Sequence, residues 1–157
     1  MFKKLLLLCS VVIIMTSVGY TKEIGGIIIP DTLVAGSDTL VLNGAGVRTY
    51  GIELYVASLF LKKKSSDVNA IISADEPMAI RLHILSEVIT SENMKTVMLS
   101  GFQYFNNDNI APLKDRIDSF IATFNDTINP NDVYDIIYIP AEGVKAYKNK
   151  KLTSTIK

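Results

Sequence analysis

The segment "NGAGVRTYGIELYVASLFL", residues 43–61, carries one arginine in a run of glycines, β-branched and aromatic residues that reads as strand. A guanidinium stays protonated and burying it unpaired is costly, so Arg48 must either reach solvent or meet an anion. Asn43 and Gly44 form an Asn-Gly pair that accepts positive φ at both central positions of a turn. They predict a hairpin between "TLVL" (39–42) and one long strand, "VRTYGIELYVASLFL" (47–61). In one regular strand Arg48 and Tyr55 fall on opposite faces, because their separation is odd. A site shared by the two therefore requires an irregular ladder near Tyr50, Gly51 and Ile52, with Gly51 best able to supply it.

Outward from this segment the apolar period changes. "GGIIIP" (25–30) and "AGSDTLVL" (35–42) read as strands joined by tight turns. After a solvated "KKKSSD" (62–67), "MAIRLHIL" (78–85) alternates: Met78, Ile80, Leu82 and Ile84 share one face, Arg81 and His83 the other, which predicts a half-buried strand. In "TSENMKTVMLSGFQYF" (90–105) Met94, Val97, Met98, Phe102 and Phe105 fall on one helical face behind a Thr90 or Ser91 cap. In "NIAPLKDRIDSFIATF" (109–124) Leu113, Ile117, Phe120, Ile121 and Phe124 do the same, with Pro112 tolerated in the first turn. "VYDIIYIP", "GVKAYKN" and "KLTSTI" close the chain as a meander, with "KNKK" as a hairpin turn. Strands, a helix pair and strands again predict an α+β fold with a largely antiparallel sheet.

With 157 residues, 48% of them hydrophobic, the chain suits one domain, and it shows no repeat or linker composition. Residues 1–20 read as a signal peptide: Lys3 and Lys4, an apolar stretch from Leu5 to Met15, and a small-residue exit at Ser17 to Gly19. The apolar stretch is too short to span a bilayer comfortably, so no stable membrane span is expected after cleavage. Residues 21–157 then form the domain. Cys9 is the only cysteine, so its loss with the leader excludes disulfides, thiolate catalysis and cysteine metal sites; a lipid anchor at Cys9 is the alternative. Export without disulfides points to a periplasmic protein. Loss of Lys3 and Lys4 leaves a small acidic excess and no basic patch, which argues against nucleic acid. His83 is the only histidine, so a multi-histidine metal site is impossible, and no cofactor is called for.

"GGIIIPDTLVAGSDTLVLNGAGVR", "ELYVASLFL", "DEPMAIRLHILSEVITSENM" and "VYDIIYIPAEGVKAYKNKKL" together resemble the chalcone isomerase-like family over nearly the whole exported portion. The resemblance implies an open-faced β-sandwich: a large antiparallel sheet with helices packed on one face and a ligand cleft between them. The family includes isomerases that close a flavanone ring and non-catalytic relatives that bind fatty acids. Arg48 matches the family's cleft arginine, which steadies the substrate's anion in the isomerases and pairs with the carboxylate in the binders. Tyr55 matches a position that is threonine in the isomerases and tyrosine in the binders. The isomerases place a tyrosine, a lysine and an asparagine on the following helix, and the matching stretch here offers Thr90, Asn93 and Val97 instead. Members usually continue past "KLTSTI" into further helices, which this chain is expected to lack.

The resemblance thus implies an exported, non-catalytic binder of a fatty acid or similar apolar carboxylate. Arg48 and Tyr55 would hold the head group, since a guanidinium fork and a phenol make a sound carboxylate site. Met94, Val97, Met98 and Phe102 would line the alkyl groove, although such a stripe also serves as plain core. The alternatives are an isomerase, or intramolecular lyase, acting on a chalcone-like or other enone, with Arg48 facing a phenolate or enolate, and an envelope interaction protein without a small ligand. For single residues, Arg48 could instead pair at the surface with Glu53 or Asp75, and Tyr55 could be only a core aromatic.

Overall fold

A computed structural model describes residues 22–157; the leader-like segment and Cys9 lie outside the described residues. A small hairpin of β1 (Lys22–Ile24) and β2 (Ile27–Ile29) precedes β3 (Thr32–Ala35), β4 (Asp38–Tyr50) and β5 (Ile52–Leu61). Then follow α1 (Val68–Ser73), β6 (Met78–Ile84), α2 (Ser91–Phe105), α3 (Lys114–Ile121), β7 (Val133–Ile139), β8 (Gly143–Lys148) and β9 (Lys151–Ile156). Strands β3 to β9 make one seven-stranded antiparallel sheet in sequence order, so each strand pairs with its chain neighbours and no crossover is needed. The result is an α+β, open-faced fold with α2 and α3 on one face of a curled sheet.

The reversal after β4 differs from the expectation. Asn43 and Gly44 lie inside β4, neither with positive φ, and the ladder slips there from Leu42 opposite Phe60 to Gly44 opposite Leu59. Asn43 is the extra residue of this bulge, and its side-chain carbonyl accepts the Ser65 N–H at 2.8 Å, which ties down the loop leaving β5. An asparagine committed to that bond is not free to shape a turn. The chain reverses at Gly51 instead, whose φ of +71° is the left-handed conformation that glycine takes without steric cost. The single strand expected over 47–61 is therefore the end of β4, a turn, and β5.

Alternation along β6 serves two cores. Leu82 and Ile84 face the helices and join Ile89, Met94, Phe124, Ile128 and Tyr134 in one buried cluster. Ala79 faces the other way and joins Ile29, Leu33, Leu40, Leu42, Val56 and Phe60. That second cluster forms because the sheet curls until β3 reaches β6 and β7, which are not its ladder neighbours. Two expectations change as a result. Arg81 is half-buried and not freely solvated: it makes a two-pronged ion pair with Asp135 across the ladder, at 2.6 and 2.9 Å. Ile80, expected in the core, is 43% exposed, because the helices cover only the far end of β6.

Helix α2 starts as its sequence suggests, with Thr90 accepting the Asn93 N–H at 3.1 Å. Of its expected apolar stripe Met94 is buried, Met98 and Phe102 are half-buried, and Val97 and Phe105 are exposed. Helix α1 was not anticipated; Asp67 caps it by accepting the Ala70 N–H at 3.1 Å, and it buries no residue. No helix among the described residues is long and apolar enough to cross a membrane.

Candidate functional site

The reversal at Gly51 brings Arg48 and Tyr55 together by a route other than a bent strand. They sit on consecutive antiparallel strands as direct ladder partners. Directly opposed residues point to the same face, with Cβ atoms about 5 Å apart. One step further the register slips, since Thr49 faces Glu53, and Leu54 becomes the extra residue of a bulge in β5. Leu54 and Tyr55 consequently both pack against the helix-side cluster. The Leu54 carbonyl accepts N–H bonds from Leu85 at 2.9 Å and Ser86 at 3.2 Å. The bulge thereby fastens the loop that follows β6.

That loop supplies the next wall. The Ser86 hydroxyl accepts the Val88 N–H and the Ser86 carbonyl the Ile89 N–H, each at 3.3 Å. Ile89 is buried, Val88 faces out, and Thr90 then starts α2. Between strand, loop and helix lies a cleft of about 390 Å³. Arg48, Tyr50, Leu54 and Tyr55 line the strand side, Val88 and Ile89 the loop side, and Asn93, Met94, Val97 and Met98 the helix side. Its polar groups are one guanidinium, two phenols and one amide. None of the ion pairs among the described residues uses Arg48. Of its two conceivable surface partners, Asp75 accepts the Tyr138 hydroxyl at 2.5 Å and Glu53 stands opposite Thr49, not Arg48.

Arg48, Tyr55, Met94, Val97 and Met98 thus line one cleft, but Phe102 does not. One helical turn beyond Met98, Phe102 packs edge-on against Phe120, with centroids 5.5 Å apart. It lines a separate cavity of about 270 Å³ with Arg116, Ile117 and Ile136. The edge-on pair of aromatic rings, which only the tertiary placement of α3 creates, explains the difference. Sequence reasoning missed Tyr50, Leu54, Val88 and Ile89 as lining residues, and named Asn93 only as the replacement for a family residue. The one available signal was the pair Val88 and Ile89 in an otherwise polar connection.

Two groups outside this cleft have their protonation biased by the fold. Burial pushes the Tyr134 phenol up. Burial would also raise Asp132, but hydrogen bonds from the Asn149 amide, the Asn129 N–H and Lys148 hold its carboxyl below the ordinary value. Among the described residues no group of three or more His, Cys, Asp or Glu side chains could hold a metal ion.

An antiparallel meander with helices on one face, and an arginine and a tyrosine side by side at an apolar cleft, define an open-faced sheet-and-helix scaffold. Residues 21–157 match the family described as chalcone isomerase-like, and the chain belongs to that family. Solved structures that match include a crystal structure of a fatty-acid binding protein from Arabidopsis thaliana, at a TM-score of 0.63 and 16% identity. The match covers 84% of this chain and 78% of that one. No curated protein matches the chain.

Proposed function

We propose that the chain binds a fatty acid or similar carboxylated apolar molecule without chemically altering it. The observation that carries this reading is Arg48, free of ion pairs among the described residues, set directly across from Tyr55 at an apolar cleft. A guanidinium without a protein counter-ion offers a carboxylate charge-assisted hydrogen bonds, and the phenol adds another donor. Leu54, Ile89, Met94 and Met98 then receive the chain, as expected of a site that is mostly apolar with a few fixed polar groups. On the scale of an apolar cavity of about 150 Å³ that takes benzene, the cleft has room for roughly fifteen carbon atoms. The plant relative, a fatty-acid binding protein by description, supports the same ligand class. The leader-like residues 1–20 support binding outside the cytoplasm, which N-terminal sequencing of the mature protein tests.

The test is titration of the delipidated protein with a fluorescent long-chain fatty acid. Arg48→Ala should weaken binding by about 2 to 3 kcal/mol, or roughly 30- to 150-fold, with the fold retained by circular dichroism. Equal affinity of variant and parent would remove the head-group assignment. Saturable cyclisation of a chalcone above the solvent rate, lost in Arg48→Ala, would replace the binder with an isomerase.

A further inference from the structure

The mouth of the cleft is rimmed by large apolar side chains that the described residues leave exposed. Tyr50 is 83% exposed, Val97 64%, Val88 51% and Ile52 49%. They come from three separate elements: the β4–β5 turn, the loop after β6, and α2. Tyr50 and Ile52 face each other across Gly51, so the tip of this hairpin presents a phenol and a branched aliphatic chain side by side. Tyr50, Val88 and Val97 also line the cleft, which makes the rim continuous with the interior. An apolar patch left in water is costly unless something covers it.

From these residues we propose that the rim docks on an electrically neutral lipid surface, so that an apolar ligand passes between bilayer and cleft without crossing water. The inference rests on the binder reading for its purpose, but the docking surface is defined by the rim alone. A tyrosine with small aliphatic residues suits the headgroup boundary, where an amphipathic ring keeps its hydroxyl wet and its body dry. Charge selects the kind of surface. Glu53, Glu87 and Glu92 are exposed next to Ile52, Val88 and Asn93 in the chain, against the cations Arg48 and Lys95, the second of which donates to Asn125 at 3.3 Å, so the described rim residues carry no cluster of positive charge. A polybasic patch, which draws proteins to anionic membranes, is therefore missing among the described rim residues, and zwitterionic lipid is the better partner.

Ile52 separates docking from binding, because it is on the rim but not among the cleft-lining residues. The ligand-free chain is floated on a density gradient with phosphatidylcholine vesicles, and transfer of a fluorescent fatty acid to those vesicles is followed over a range of vesicle concentrations. The chain should float with the vesicles, and transfer should accelerate in proportion to vesicle concentration. Ile52→Asp should abolish flotation and slow transfer at least tenfold while leaving affinity measured without vesicles unchanged. Absence of flotation by the parent, or flotation of Ile52→Asp equal to the parent's, overturns the proposal. So does a dimer in sedimentation that Ile52→Asp splits while the parent ignores vesicles, since the rim would then be an interface between copies. A parent that floats but binds no fatty acid overturns the binder reading and leaves the docking surface standing.

Discussion

Asp132 is 8% exposed, yet it is held ionised by three donors: the Asn149 amide at 2.8 Å, the Asn129 N–H at 2.9 Å and Lys148 at 3.0 Å. Its folded value lies below the unfolded one, so the stability it contributes is complete above about pH 4 and is lost as pH falls through the depressed folded value. Asp132→Asn should cost about 2 kcal/mol at pH 7, and denaturant midpoints of variant and parent should converge as pH drops below about 4. Tyr134 behaves oppositely. Its ring is fully buried against Phe124, its hydroxyl has no partner among the described residues, and burial raises its folded value. An unfolded tyrosine ionises near pH 10 while this one keeps its proton, so the native state loses stability as pH climbs above 10. Tyr134→Phe should remove that alkaline loss and leave neutral-pH stability equal or up to about 1 kcal/mol higher. A loss of more than about 1 kcal/mol would reveal a partner for the hydroxyl. Neither residue announces this in the sequence, where Asp132 is one carboxylate beside a strand and Tyr134 one aromatic within it.

Turns decide how the elements meet, and here residue identity was informative only in part. Asn149 and Lys150, both at positive φ, close the β8–β9 hairpin where "KNKK" indicated. The Asn-Gly pair at 43–44 carries an equally strong signal and forms no turn, because Ser65, 22 positions later, claims the asparagine. A local pattern cannot register a competitor that far away. Gly143 opens β8 at φ +89°, and a Cβ there would stand 2.1 Å from the Ile156 carbonyl oxygen of β9. Gly143→Ala should cost at least about 3 kcal/mol by forcing the two strands apart, and hydrogen exchange should speed up first in β9. Unchanged protection there would mean that the backbone absorbs the methyl group by local rearrangement.

Over the whole molecule, a ligand that binds only the folded chain stabilises it by mass action. A fatty acid at a hundred times its dissociation constant should add about 2.7 kcal/mol and raise the melting temperature of a domain this size by about 8 to 10 °C, an effect that Arg48→Ala should largely abolish. A parent melting curve indifferent to saturating fatty acid would count against the binder. The alternation of "MAIRLHIL", the Thr90 cap and the closing strands are properties of period and local hydrogen bonding, so strand, helix and fold class were legible in the sequence by itself. Arg48 and Tyr55 could be named there too, but not how they meet. Their shared face depends on a turn at Gly51 and a slip at Leu54, and the ion pair of half-buried Arg81 depends on β7 pairing with β6 so that Asp135, 54 positions later, stands opposite it. The slip and the ion pair are set by contacts between distant segments, Leu54 with Leu85 and Ser86 and Arg81 with Asp135, and such contacts exist only once the chain has packed.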